Sequence, residues 1–205
     1  MSLFPAFLKL TDHRVVVIGG GSLAVQKIPG LLEAGARICV VSPEINEQVA
    51  IWVRQDKIGW RPKYFAPEDL DGTFLVIAAT SLRDVNAAVY QEADRRNILC
   101  NAVDDMDYCH FYYGSIVQRG DLQIAVSTNG KSPALAQRLR KEFEQLFGPE
   151  YAAWLEWLGA AREVLRSQSS EPETTKRWLH ALASQPMFEK FMEQANARNS
   201  KQGVA

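Results

Sequence analysis

A glycine-rich turn between a strand pattern and a helix pattern constrains the fold of this chain more than any other feature. Arg14–Ile18 predicts a strand, Gly19-Gly20-Gly21 follows it, and Ser22–Ala34 carries apolar residues at helical spacing until Gly35. The same alternation of short β-branched runs and helical segments continues to about residue 102. It predicts an α/β protein with a Rossmann-like, doubly wound parallel sheet, whose ligand crevice lies at the carboxyl ends of the strands.

The remaining elements of this first region continue the same alternation of strands and helices. Four more strands and two more helices are predicted: strands Ile38–Val41, Trp60–Tyr64, Thr73–Ala79 and Ile98–Ala102, and helices Ile45–Gln55 and Val85–Arg96.

After about Asp107 the pattern changes to a β-hairpin and a helix. Tyr113–Gln118 and Leu122–Ser127 read as two antiparallel strands, and Ser132 reads as the N-cap of a helix that ends at Gly148. An isolated hairpin is marginally stable in water. We therefore expect the hairpin to pair with the same element of a second subunit.

Composition excludes several classes of protein. The 205 residues carry a formal net charge of −1, which provides no global field for nucleic acid or an anionic membrane. The longest apolar runs are far shorter than the ~20 residues of a membrane-spanning helix. The three cysteines, Cys39, Cys100 and Cys109, form no Cys-x-x-Cys pair, so we expect neither a disulfide framework nor a metal site. These features predict a cytoplasmic protein without a targeting segment.

The turn itself has the form of a dinucleotide-binding fingerprint. In Gly19-x-Gly21-x-x-Ala24, Gly19 permits the tight turn, Gly21 lets a pyrophosphate approach the backbone, and Ala24 allows close packing of helix and strand. The acidic residue expected after the second strand is missing. Ser42 stands there, and either Glu44 or Ser42 with the backbone around Pro43 would hold the ribose. The choice between NAD and NADP therefore stays open.

Two later strand ends carry candidate site residues. Ala79 and Thr80 close the fourth strand, where small residues suit either a cofactor or the core. Asn101 and Asp104 follow the fifth strand, where a carboxylate can accept a proton while a hydride leaves. An Asp-Asp pair in a loop is also typical of a solvated turn.

The segment that joins the hairpin to its helix, Ser127–Pro133, presents backbone donors at a helix start with Arg138, Arg140 and Lys141 nearby. That arrangement suits an anionic ligand. Spacing alone favours the simpler interpretation of an N-capped turn beside a solvated basic face.

Taken together, five motifs resemble the precorrin-2 dehydrogenase family, the sirohaem synthase module. They are Phe4-Pro5-x-Phe7-Leu8-x-Leu10, Val17-Ile18-Gly19-Gly20-Gly21-x-x-Ala24-x-x-Lys27, Ala78-Ala79-Thr80 with Asn86, Asn101-x-Val103-Asp104, and Val126–Pro133. The resemblance covers about residues 1–147.

The resemblance implies an NAD-dependent oxidation of precorrin-2 to sirohydrochlorin in sirohaem biosynthesis by a homodimer, with Asp104 as the general base. Family contacts to NAD carry over to Ser22, Leu23, Pro43 and Glu44. Some members also insert iron, and nothing in this sequence decides that second activity. One departure is Gly114, where the family usually has proline. The substrate-binding residues we expect are Asn101, Thr128, Asn129, Gly130, Lys131 and Ser132.

The predicted organisation has three parts: an NAD-binding domain at 1–111, a hairpin-plus-helix dimerisation module at 112–148, and a helical region at 149–205 whose tail frays from Ala197.

A different class of function is a non-catalytic, dinucleotide-sensing module, which typically has an acid at the position of Ser42. An ordinary small-substrate reductase would need a Tyr-x-x-x-Lys pair, which the sequence lacks.

Overall fold

The computed structural model describes residues 3–168 and 171–202. Phe4–Tyr113 forms one compact unit, and the chain from Gly114 onward belongs to a second. The predicted first domain ends at residue 111, two residues before this division. Each unit is described by itself below.

The first unit is built on a parallel sheet of five strands in the order β3-β2-β1-β4-β5. This confirms the predicted doubly wound fold. The elements along the chain are β1 (Arg14–Ile18), α1 (Ser22–Glu33), β2 (Arg37–Val41), α2 (Glu47–Arg54), β3 (Gly59–Arg61), β4 (Leu75–Ala78), α3 (Arg83–Arg95) and β5 (Leu99–Ala102). Ile18 at the end of β1 lies between Val41 of β2 and Ala78 of β4. The ends of these three strands therefore meet at one edge of the sheet.

After Arg14 and Arg37 at the starts of β1 and β2, the central strands β1, β2 and β4 are apolar because both faces of the sheet are covered. Val15 and Val17 of β1 belong to the cluster formed with α1 and α2, and Val16 belongs to the cluster formed with α3. All three are fully buried. This packing holds the strand ends, and the loops that follow them, in fixed positions.

Element boundaries differ from the sequence expectations at the edges of the sheet. β3 covers three exposed residues instead of Trp60–Tyr64. α2 begins at Glu47 because the side chain of Asn46 accepts a hydrogen bond from the backbone of Gln48 and caps the helix.

The second unit starts with the predicted antiparallel hairpin, β6 (Ser115–Arg119) and β7 (Leu122–Val126). α4 (Pro133–Leu146) follows, and the Ser132 hydroxyl accepts a hydrogen bond from the backbone of Leu135, as the capping pattern predicts. The Arg119 guanidinium donates to the carbonyls of Glu144 and Phe147, which ties the hairpin to the end of α4.

Three more helices complete the second unit: α5 (Glu150–Gln168), α6 (Pro172–Leu182) and α7 (Gln185–Gln202). Trp154 and Trp157 of α5 stack on each other and contact Phe191 of α7. α7 continues through most of the tail that was expected to fray from Ala197, and residues 203–205 lie outside the described part of the chain.

Among the helices that the structure describes, none combines the length and apolar character needed to cross a membrane.

Candidate functional site

The turn between β1 and α1 depends on its glycines. Gly19 has φ +105°, and its N–H donates to Val41 O at 2.9 Å. A Cβ at this position would lie 2.4 Å from Ala79 O, so a larger residue would push the end of β4 away. A Cβ on Gly21, by contrast, would meet no atom within 4 Å. Gly21 therefore faces open space at the start of α1.

α1 begins without a side-chain cap. The first amides of a helix have no partner within the helix and carry the positive end of its dipole. An uncapped start beside an open glycine is a suitable site for a phosphate group.

A cleft of about 340 Å³ opens above this turn. Of the residues predicted to bind a cofactor, eight line it: Gly19, Gly21, Ser22, Leu23, Ser42, Pro43, Ala79 and Thr80. Ala24 is fully buried in the core instead, where its small side chain belongs to the cluster around α1. Glu44 is exposed and does not line the cleft.

The end of β4 is fixed by a small hydrogen-bond network. The Thr80 hydroxyl lies 2.8 Å from Oδ1 of the buried Asn86 and accepts from the backbone of Leu82 at 3.1 Å. The Asn86 side-chain amide donates back to Thr80 O. The network makes the wall of the cleft rigid at the turn into α3.

The structure adds cleft residues that the sequence analysis did not identify: Lys63, Tyr64 and Phe65, from the loop after β3. β3 lies beside β2, with Arg61 in register with Val41, so this loop opens at the same edge as Ser42. The fold class could have indicated these cleft residues, because a doubly wound sheet places the third strand next to the second.

Asp69 anchors this loop from a fully buried position. Its two carboxylate oxygens lie 2.9 Å from Lys63 Nζ and 3.1 Å from an Arg61 guanidinium nitrogen, and the backbone N–H of Ala66 donates to it at 3.0 Å. Burial by itself raises the pKa of Asp69, but the hydrogen bonds from Lys63, Ala66 and Arg61 together lower it below its ordinary value of 3.8. The carboxylate is therefore a fixed anion beneath the loop.

Asp104 lies in the turn after β5, on the same side of the sheet as the cleft-forming turns. It has φ +63°, a left-handed conformation that aspartate adopts more readily than most residues. Its side chain is exposed and has no hydrogen bond or ion pair with any described residue. Its carboxylate is thus open to a ligand.

Neighbouring side chains hold the Asp104 turn in place. Asp105 is paired with Arg83 of α3 at 2.9 Å and also caps the backbone of Asp107. The Cys109 thiol lies 3.2 Å from the carbonyl oxygens of both Ala102 and Asp105. Of the two adjacent acids, Asp105 is therefore structural in its contacts, whereas Asp104 is left open.

Asn101 lies in a different environment from Asp104. It is buried, and its amide donates to Phe111 O at 2.8 Å, which links β5 to the segment before the second unit. Its substrate role stays a prediction, and the contacts in this structure are those of a structural residue.

The predicted substrate segment of the second unit forms a compact turn before α4. Asn129 and Gly130 have positive φ angles, and the Thr128 hydroxyl bonds with the backbone of Ser132. Lys131 is exposed. Arg138 and Arg140 are ion-paired with Glu142 and Glu144 on the same helix.

All three cysteines are free thiols, and burial raises the pKa of Cys100 to about 12. Within the described residues, no group of three or more His, Cys, Asp or Glu side chains is arranged to hold a metal ion.

Comparisons with known proteins place this geometry in a family context. Residues 6–115 match the family model described as putative NAD(P)-binding, and residues 119–146 match the model described as sirohaem biosynthesis protein central. The first match confirms the class of cofactor expected from the sequence.

Curated relatives are siroheme synthases. One from Aeromonas hydrophila subsp. hydrophila is 37% identical over 185 residues, which are 90% of this chain and 40% of the relative. One from Neisseria meningitidis serogroup C is 37% identical over 179 residues, 87% of this chain and 37% of the relative. The chain thus spans about two fifths of the length of these relatives.

A solved structure, SirC, precorrin-2 dehydrogenase, has a TM-score of 0.79 and 23% sequence identity, and the match covers 95% of this chain and 100% of that one. At this identity the match shows a shared fold. These findings confirm the resemblance that the motifs predicted.

Proposed function

This chain belongs to the putative NAD(P)-binding family and carries the central segment of sirohaem biosynthesis proteins; from that premise we propose that it oxidises precorrin-2 to sirohydrochlorin with NAD. The observation that carries the proposal is the position of Asp104. Its exposed carboxylate lies in the left-handed turn after β5, at the same edge of the sheet as the nucleotide cleft.

The residues of the cleft fit a dinucleotide. The uncapped start of α1 and the open face of Gly21 would receive the pyrophosphate, with Ser22 and Leu23 supplying backbone donors. Ser42 and Pro43 would contact the ribose, and Ala79 and Thr80 would line the path toward the nicotinamide. NAD, when bound, is the acceptor of the hydride that the oxidation removes.

Asp104 would accept the proton that leaves the macrocycle in the same oxidation. Its left-handed turn and the Arg83–Asp105 pair beside it keep the carboxylate exposed. A positioned base of this kind contributes about 10²- to 10⁴-fold to rate.

The substrate carries many carboxylates, and the second unit offers groups that suit them. The turn from Thr128 to Ser132 presents the exposed ammonium group of Lys131. We assign Asn101 a supporting role within the first unit, consistent with its bond to Phe111.

The proposal includes a homodimer in the cytoplasm. Neither strand of the two-stranded hairpin pairs with any further described strand of the chain. A second copy of the hairpin would pair with the free backbone N–H and C=O groups of these strand edges, which otherwise promote aggregation.

The decisive experiment is anaerobic incubation of the protein with precorrin-2 and NAD, followed by the absorbance of NADH and sirohydrochlorin. We expect both products in equal amounts, and a loss of about 10²- to 10⁴-fold in kcat for Asp104→Asn with unchanged affinity for NAD. Asparagine is also well suited to the left-handed conformation, so the turn should persist.

Asp56→Asn is the matched control. Asp56 is also exposed and has φ +54°, but it lies before the start of β3, at the opposite edge of the sheet from Asp104. It should leave turnover unchanged. NAD binding without any turnover of precorrin-2 by the wild-type protein would overturn the proposal and favour the dinucleotide-sensing alternative.

A further inference from the structure

The ribose end of the cleft is electropositive, and from this we infer that the protein binds NADP as well as NAD, with Lys63 meeting the 2′-phosphate of the adenosine ribose. The inference rests on the cofactor site of the proposed function. It concerns which dinucleotides the site admits, and precorrin-2 is not needed to test it.

The fold places Lys63 where nucleotide specificity is decided. In the dinucleotide fingerprint, an acid after the second strand binds the ribose 2′-hydroxyl and repels a 2′-phosphate. Ser42 occupies that position here. Its backbone N–H donates to Arg61 O at 3.2 Å, and its carbonyl accepts from the Trp60 indole at 2.9 Å. The loop that carries Lys63 is thereby joined to the residue that replaces the acid.

The local charge favours an additional phosphate. Lys63 is the one charged residue among the described residues that line the cleft, and Glu44 stands outside that lining. Beneath the loop, two cations, Lys63 and Arg61, share the single carboxylate of Asp69. The group therefore keeps a net positive charge toward the nucleotide.

Asp69 also keeps Lys63 in place without using up its capacity to bind. The buried carboxylate engages one side of the ammonium group, and the Lys63 side chain remains 44% exposed. An ammonium group has three donors, so donors remain for a phosphate in the cleft. A cation held by a buried counter-ion loses little freedom when a ligand arrives.

The test compares two probes that lack the nicotinamide, 5′-AMP and 2′,5′-ADP, by titration calorimetry on the full chain. They differ only in the 2′-phosphate. We expect the wild-type protein to bind 2′,5′-ADP at least as tightly as 5′-AMP. Lys63→Gln should weaken 2′,5′-ADP about tenfold and 5′-AMP by less than about twofold.

Two further variants sharpen the result. Lys57→Gln removes the same charge from an exposed position of the same unit outside the cleft lining, and should change neither affinity. Ser42→Asp restores an acid beside the ribose, and should weaken 2′,5′-ADP by at least about tenfold while 5′-AMP still binds. Thermal unfolding verifies that each variant is folded. We expect Lys63→Gln to fold because Arg61 still pairs with the buried carboxylate of Asp69.

Two outcomes would overturn the inference: a wild-type protein that binds 2′,5′-ADP at least about tenfold more weakly than 5′-AMP, or a Lys63→Gln variant that weakens both probes equally. If neither probe bound, the cofactor site itself would be wrong. If both bound but precorrin-2 were not oxidised, the proposed function would fail while this inference stood.

Discussion

The two units of the chain differ in how much apolar surface they remove from water. In Phe4–Tyr113 every residue of β4 and most of β1 is buried, whereas from Gly114 onward only Val117, Ala136 and Trp154 are buried apolar residues among those described. Large side chains such as Leu146, Val164 and Trp178 are more than half exposed in the second unit. The first unit has a core of its own, whereas the second leaves several large apolar side chains exposed.

The strongest test of this difference removes packing from the first core. Ile77→Ala on β4 deletes a fully buried side chain between the neighbouring strands, and should lower the free energy of unfolding by about 3 kcal/mol. Urea denaturation of the full chain measures this change in the free energy of unfolding. A loss below about 1 kcal/mol would mean that the core can collapse around the cavity.

Asp69→Ala removes the buried anion of the first unit and leaves Arg61 and Lys63 without their counter-ion. We expect a loss of about 2 kcal/mol at neutral pH, less than for a fully buried pair because both cations are half-exposed. Because the pKa of Asp69 is lower in the folded state than its ordinary value of 3.8, its contribution is present above that value and is lost as the pH falls through the folded pKa.

The difference between wild type and Asp69→Ala should therefore be constant near neutrality and shrink below about pH 4. Thermal unfolding at a series of pH values measures it. A difference that stays unchanged down to the most acidic conditions would show that the carboxylate acts by its shape and not by its charge.

In the second unit, a charge on the hairpin should affect assembly more than folding. Ile116 of β6 is 46% exposed, and Ile116→Asp should raise the dissociation constant of the proposed homodimer at least about tenfold while the first unit unfolds as before. Light scattering over a range of concentrations measures the oligomer. Val164→Asp, at a similarly exposed position on α5, is the control and should leave the dissociation constant unchanged. An unchanged dissociation constant in Ile116→Asp would place the interface away from the hairpin.

The smallest expected effect is the loss of a helix cap in the second unit. Ser132→Ala removes the hydroxyl that accepts from Leu135, and should cost about 1 kcal/mol. Hydrogen exchange of the amides in the first turn of α4 reports the change locally. Faster exchange across the first unit as well would show that the two units unfold together.

Local patterns were enough to predict the first unit and part of its site. The alternation of strands and helices and the glycine turn follow from periodicity and from residues close together in sequence, and the Ser132 cap follows from a pattern that extends over a few residues. The Asp69 anchor for Lys63 was not foreseen, because an acid and two cations in a loop give no signal until the fold buries the acid. Nor does a motif distinguish Asn101 from Asp104. The difference arises because one side chain turns inward to Phe111 and the other stands open.

The left-handed backbone at Asp104 also bears on how this protein can change over generations. Asparagine and glycine tolerate that conformation best, and both are one nucleotide away from an aspartate codon. A copy that acquires either one would keep its turn and its nucleotide cleft while losing the carboxylate. Under the proposed role of Asp104, a gene duplicate could therefore lose its oxidation activity and keep its dinucleotide cleft through a single substitution, without an unstable intermediate.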